Sequence, residues 1–408
     1  MIIKLGVIAL LAAHILAGVA RWPQHALSAA VMLAHNTVTI AELHSDYQAA
    51  PAQWKTVNVV IVPGHEPDYG GAQFGTLYER DLVVELSQDL QTFLQAKSNY
   101  RVFVTRTTQA WNPTLADYFA ADWNAIAAWE QASAEQMSYL VSIGSTTEPI
   151  APIDHLSVPA DVALRLYGIT KWANENGTDI EIHVHLNDDP DHAALVAGKY
   201  TGFAIYVPAG QYYNSTTTQA VANAVYRRLA AYNPVSDLPG ESGGIIDDPE
   251  LIAVGANNTA DAASMLIEYS YVYEPQFADP SVRSMALKDL AYQTYLGLED
   301  FFNQSDQSAS NSLSSLYGTS VLPYVWKHSL AVGPTASPDI YALQTALIYD
   351  GDYPPAGKSM NACPRTGIFG VCTRLSVKAF QQKHGIGGGD GSVGPQTLAA
   401  LNTLFAGR

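Results

Sequence analysis

The sequence predicts an α/β fold, a mostly parallel sheet flanked by helices on both faces, with a smaller module at the C-terminal end. Three observations carry this expectation. Residues 58–62 (Asn58-Val59-Val60-Ile61-Val62) form a nearly unbroken β-branched run, the pattern of a strand buried on both faces of a parallel sheet. Residues 180–187 alternate: Ile180, Ile182, Val184 and Leu186 share one face, and Glu181, His183, His185 and Asn187 share the other. Strand-like and helix-like segments then follow one another along the chain, which calls for a sheet covered on both sides.

Taken in order, the chain opens on Lys4 and the apolar stretch Leu5–Ala20, with small residues at Gly18-Val19-Ala20. Residues 1–20 therefore read as a secretory signal peptide or an uncleaved membrane anchor, and either places the remainder outside the cytoplasm. Residues 21–55 lack a firm period and read as a stalk or an early helix. Residues 56–303 hold the α/β domain. Its first strand, 58–62, is stopped by Pro63-Gly64, so His65 falls at the carboxyl end of the strand, the edge where open α/β sheets bind ligands. From 77 to about 97 the period is helical, and the face 79, 83, 86, 90, 93 reads Glu, Val, Leu, Leu, Phe. Glu79 thus opens an apolar stripe, where an unpaired carboxylate would be costly and needs a cation or strong donors.

Residues 107–160 form an insertion, with a helix expected over the Ala- and Trp-rich 118–136 and a strand-like piece at Tyr139-Leu140-Val141-Ser142-Ile143. Residues 202–208 read as a further strand, and 217–232 and 284–303 as amphipathic helices. The segment 304–335 begins with a Ser-rich run and reads as a linker. From 336 to 408 the pattern is short helices with turns.

Composition bounds the partners. The 408 residues carry 21 Lys+Arg against 38 Asp+Glu, a formal charge of −17, which argues against nucleic acid or an anionic membrane surface. No serine nucleophile elbow, phosphate loop or dinucleotide fingerprint is present. Chemistry is instead suggested by four residues: His65, Glu79, His185 and Glu268, the last interrupting the apolar run Met265–Tyr269. Two imidazoles and a carboxylate suffice for a catalytic Zn2+ that keeps one position open for water, and a second carboxylate can take that water's proton. His183 and His185 share a face, so either can be the ligand; the position nearer the strand end favours His185, as does the His-x-Asn pattern of the family resembled below. Glu274, in Tyr273-Glu274-Pro275, is the fallback for Glu268. Glu66, Asp68, Asp188, Asp189, Asp191 and His192 read as solvated loop residues.

At these residues the chain resembles the zinc-dependent N-acetylmuramoyl-L-alanine amidases. The likeness runs from about 57 to 303 through Pro63-Gly64-His65, Gly70-Gly71-Ala72, Glu79, Thr105-Arg106, Ala173-Asn174, His183-Val184-His185-Leu186-Asn187 and Glu268. It departs from the usual pattern at Val62, at Glu66 and Pro67, and at His183. The resemblance implies one Zn2+ on His65, Glu79 and His185, with Glu268 as the catalytic carboxylate and His183 and Asn187 beside the site. It implies hydrolysis of the amide between N-acetylmuramic acid and L-alanine in peptidoglycan. A different zinc peptidase acting on the same polymer, and a wall-binding protein without turnover, are the alternatives.

A short repeat marks the module. Gly367-Ile368-Phe369-Gly370-Val371-Cys372-Thr373 and Gly391-Ser392-Val393-Gly394-Pro395-Gln396-Thr397 both read Gly-x-apolar-Gly-x-x-Thr, each leading into a helix. With Ala379-Phe380-Gln381-Gln382-Lys383-His384-Gly385 between them, about 338–405 resembles a peptidoglycan-binding domain with a three-helix core. The only two cysteines of the chain, Cys363 and Cys372, fall there, and an even pair at short spacing in an exported chain suggests a disulfide.

Overall fold

A computed structural model describes residues 37–49, 55–148, 150, 151, 153, 158–189, 191–193, 195–303 and 318–407. The apolar stretch 1–20 and the Ser-rich run 304–316 lie outside them. Among the described residues, no helix is long and apolar enough to cross a membrane.

The β-branched run becomes β1 (Val57–Pro63), buried along almost its whole length. A short hairpin of β2 (Gln73–Phe74) and β3 (Leu77–Tyr78) leads into helix α2 (Glu79–Gln95), and β4 (Tyr100–Val104) follows. The alternating segment is β5 (Ile180–Asn187), and β6 (Ala204–Pro208), β7 (Ile245–Asp248) and β8 (Ala263–Tyr271) complete the main sheet. Its order is β4-β1-β5-β8-β6-β7, with every pair parallel except β6 against β8. This is the mostly parallel sheet that the pattern predicts. Val57, Val59, Ile61, Ile180, Ile182 and Val184 pack into one core with the α2 residues Val83, Leu86 and Leu90 and with α5 (Ser215–Tyr232) and α6 (Pro280–Asn303). Val60 and Val62 pack on the other face with α3 (Pro113–Ser142) and α4 (Ala160–Glu175) through Leu115, Phe119, Ile126 and Ile169.

One expectation is corrected. Tyr139–Ile143 is not a strand: α3 runs through Ser142, and Ile143 N–H donates to the Tyr139 carbonyl at 3.1 Å. Between Pro113, at the first turn, and Gly144, at φ 69°, the chain has no Gly or Pro, so nothing interrupts the helix before that left-handed residue. Within 21–55, read as a stalk or an early helix, the described residues 40–49 are helical. Ile40–Ala49 is helix α1, whose Leu43 and Tyr47 are buried; the Tyr47 ring stacks on Phe302 at 4.3 Å and its hydroxyl donates to Glu299 at 2.9 Å.

The C-terminal module has three helices, α7 (Pro338–Asp350), α8 (Val371–Lys383) and α9 (Pro395–Phe405), with Pro395 in the first turn of α9 as its sequence suggests. The sequence repeat has a structural counterpart. Buried Gln344 accepts from Gly367 N–H at 2.8 Å and donates to the Ile368 carbonyl and the Thr373 hydroxyl; buried Gln381 accepts from Gly391 N–H at 3.0 Å and donates to the Ser392 carbonyl and the Thr397 hydroxyl. Each glutamine therefore clamps one copy of the glycine loop through the same three partners. Cys363 and Cys372 are joined by a disulfide.

The module is packed onto the α/β domain. One continuous core runs from the sheet through Val282, Ala286 and Leu290 of α6 into Ile340, Tyr341 and Phe369. At its centre Arg365 pairs with Asp289 of α6 at 2.8 Å, both side chains being almost fully buried. Removing one member of such a pair leaves the other charge buried and alone. Arg365→Met is therefore expected to lower stability by about 3–5 kcal/mol in denaturant unfolding, and a loss below about 1 kcal/mol would contradict this account.

Candidate metal centre

The carboxyl ends of β1 and β5 and the first residue of α2 meet at one edge of the sheet. His65 follows β1 in a left-handed conformation (φ 66°), a strained placement for a side chain other than glycine that turns it back toward α2. Arg106, buried, holds this turn from below: Nε donates to the Pro63 carbonyl at 3.2 Å, and Nη2 donates to the carbonyls of Gly64 and of Arg80, the residue after Glu79. One guanidinium thus braces the backbone beside two members of the site.

Glu79 sits between the imidazoles. Its Oε2 lies 2.9 Å from His65 Nε2 and its Oε1 3.1 Å from His185 Nδ1. Each oxygen also accepts a backbone N–H, Oε2 from Ala72 at 2.8 Å and Oε1 from Leu186 at 3.0 Å. The His65 and His185 rings stand edge to face, 4.9 Å apart. One ligand atom from each of His65, Glu79 and His185 can be chosen so that all lie within 4.8 Å of one another. Burial alone would raise the Glu79 carboxyl, but the imidazoles, His65 foremost, outweigh it and hold it far below the usual carboxylate range. Burial lowers His185 to about 4, against the pull of Glu79, so the ring is neutral as a ligand must be.

Gly64 is required by the approach of these strands. A Cβ at Gly64 would lie 2.4 Å from Cε1 and 2.6 Å from both nitrogens of His185. The ring of His185 would have to leave its place. Gly64→Ala is expected to weaken zinc binding by about 10- to 100-fold in competition titrations; unchanged affinity would show that the ring position is not needed.

Glu268 belongs to β8, in register with His185 on β5. Its buried Oε2 has no hydrogen-bond partner among the described residues. Burial, then the Glu79 and Glu241 carboxylates, push the Glu268 carboxyl well above the usual range. His65 Nε2, close to Glu79 but without hydrogen-bond geometry, is a second buried polar atom left without a hydrogen bond. A buried imidazole nitrogen with no hydrogen bond among the described residues, beside a carboxylate and a second imidazole, fits a divalent cation. Two imidazoles with one carboxylate suit zinc.

The other candidates separate clearly. His183 is buried against Glu181 at 2.9 Å, and of the two histidines it is His185 that clusters with His65 and Glu79. Asn187 donates to Glu241 at 3.0 Å. Glu274, the fallback base, accepts from the Thr201 hydroxyl and Gly202 N–H and is committed to structure. Glu66 and Asp189 are buried rather than solvated: Glu66 pairs with Arg165 at 2.5 Å, and Asp189 accepts from Lys199 N–H at 3.0 Å. His192 pairs with Asp188 at 2.9 Å. The residue that sequence reasoning missed is Glu241. It is buried and accepts from Tyr206 at 2.6 Å, from Asn187 and from the Ser236 hydroxyl. Its setting, Leu238-Pro239-Gly240-Glu241-Ser242-Gly243-Gly244, has the composition of an exposed turn, and nothing in it signals burial.

Residues 336–401 match the family described as putative peptidoglycan binding domain, in agreement with the module expected there. No curated protein matches the chain. Among solved structures, the chain is similar to N-acetylmuramoyl-L-alanine amidase from Clostridium difficile 630, at 16% identity over 62% of this chain and 99% of that one, with a TM-score of 0.39. It is also similar to the N-acetylmuramyl-L-alanine amidase Ami1 from Mycobacterium smegmatis, at 14% identity over 61% and 99%, with a TM-score of 0.39. A third is the catalytic domain of CwlV, an N-acetylmuramoyl-L-alanine amidase from Bacillus (Paenibacillus) polymyxa var. colistinus, at 14% over 60% and 97%, with a TM-score of 0.35. Likenesses this distant assign no activity.

Proposed function

We propose that this protein is a zinc-dependent amidase of the cell envelope that hydrolyses the bond between N-acetylmuramic acid and L-alanine in peptidoglycan. The observation that carries the reading is the convergence of His65, Glu79 and His185, with ligand atoms within 4.8 Å, beside a Glu268 oxygen that has no partner among the described residues. The match of residues 336–401 to a peptidoglycan-binding family supports the polymer as substrate.

Zinc held by His65, Glu79 and His185 would supply a Lewis acid for the lactyl carbonyl and acidify a water at the open position. The chain's own residues do the rest. Glu79 is fixed by the Ala72 and Leu186 N–H groups, so it presents its oxygens without rearrangement. Glu268, one strand away from His185, accepts a proton from the attacking water and passes it to the departing amine of L-alanine. The C–N bond breaks, the lactyl carbon keeps the water oxygen, and the stem peptide leaves with a free amino terminus.

Mass spectrometry of digested sacculi tests the reading. The expected products are sugar-free stem peptides beginning with a new L-alanine amine. Cleavage within the stem peptide would assign a zinc peptidase instead. Binding to sacculi with no product would leave a wall-binding protein.

A further inference from the structure

The segment 233–241 is gripped at both ends. At one end it meets the C-terminal module: Asn361 Nδ2 donates to the Val235 carbonyl at 2.6 Å, and Arg365, buried between the rings of Tyr232 and Tyr341, points Nη2 toward Asn233 Oδ1 at 3.5 Å. Along its middle it pairs with the strand entering β6, with Phe203 N–H donating to the Pro234 carbonyl at 3.0 Å and Ser236 N–H to the Phe203 carbonyl at 2.8 Å. At the other end the Ser236 hydroxyl and Asn187 both donate to Glu241. Asn187 is two residues beyond His185 on β5, at the point where the β5–β8 register shifts, and Tyr206 of β6 and Tyr271 of β8 also turn their hydroxyls to Glu241.

We propose that the C-terminal module is part of the scaffold of the metal edge as well as a wall-binding unit, with Asn361 and Arg365 as positioning residues that act through segment 233–241 and Glu241. The inference rests on the proposed amidase reading only for its kinetic readout. A module joined solely by a flexible linker would raise the local concentration of polymer and leave chemistry on a small substrate untouched. A module that holds Val235 and Asn233 contributes to turnover even where no polymer is present.

The test uses the full-length chain with Asn361→Ala, Asn361→Gln and Arg365→Lys. Asn361 is exposed, so its substitutions leave the core in place. Hydrogen exchange of residues 233–241 is measured beside kcat and KM on a soluble disaccharide muropeptide too short to reach both parts. Asn361→Ala and Arg365→Lys are expected to speed exchange in 233–241 and to lower kcat by roughly 3- to 30-fold with KM little changed, and Asn361→Gln to recover part of both. Wild-type exchange in both Asn361→Ala and Arg365→Lys would overturn the proposal, as would faster exchange with unaltered kcat. Should the wild-type chain hydrolyse no muropeptide, the amidase reading fails, and the exchange measurement alone decides the scaffold role.

Discussion

Glu268→Gln is expected to bind zinc as the wild type does and to hydrolyse peptidoglycan about 100- to 10,000-fold more slowly. The substitution keeps the shape of the side chain and removes only its ability to take a proton. Glu268 is not one of the three residues whose ligand atoms cluster, so metal content should stay unchanged. It also relieves the crowding of Glu268 with Glu79 and Glu241, because the amide carries no charge beside them. Denaturant unfolding of the variant is expected to match the wild type, which separates its loss of activity from misfolding. Paired metal analysis and sacculus digestion check this. Turnover at the wild-type rate would remove Glu268 from the mechanism.

Glu79→Gln should be the more damaging change, because Glu79 has two jobs. Each of its oxygens accepts a backbone N–H, from Ala72 and from Leu186, so an amide NH2 placed at either position faces another donor. An unmet buried donor costs about 1–3 kcal/mol, so stability falls even before metal is considered. Loss of the carboxylate also removes the one negative charge of the His65, Glu79 and His185 group. Zinc content should drop to near zero at equimolar metal, with activity lost alongside it. Denaturant unfolding of the metal-free proteins separates the two effects. A Glu79→Gln protein with wild-type zinc content would mean that the ion is held elsewhere.

Local pattern carried much of this. The β-branched run at 58–62 and the alternation at 180–187 placed β1 and β5, and the Pro63-Gly64 stop put His65 at the strand end where it is found. Glu79, out of place on an apolar stripe, is buried with partners as that position demands. Where pattern failed, the deciding contacts were distant. Tyr139–Ile143 has the residues of a strand, but continuing α3 satisfies its backbone groups with no neighbour to find. Glu66 and Asp189 looked solvated because Arg165 and the Lys199 N–H that pair with them lie far along the chain or across a loop. Glu241 gathers Asn187, Tyr206 and Ser236 from three segments, and no spacing within one segment can announce that. The docking of the module was equally hidden, since Arg365 and Asp289 are separated by a long Ser-rich run that reads as a free tether.

An anomalous map collected at the zinc edge from zinc-soaked crystals tests whether one ion is held by His65, Glu79 and His185. A single strong peak is expected within bonding distance of one atom from each of these three side chains, absent in His185→Ala. A peak on other residues, or none at full zinc occupancy in solution, would contradict it.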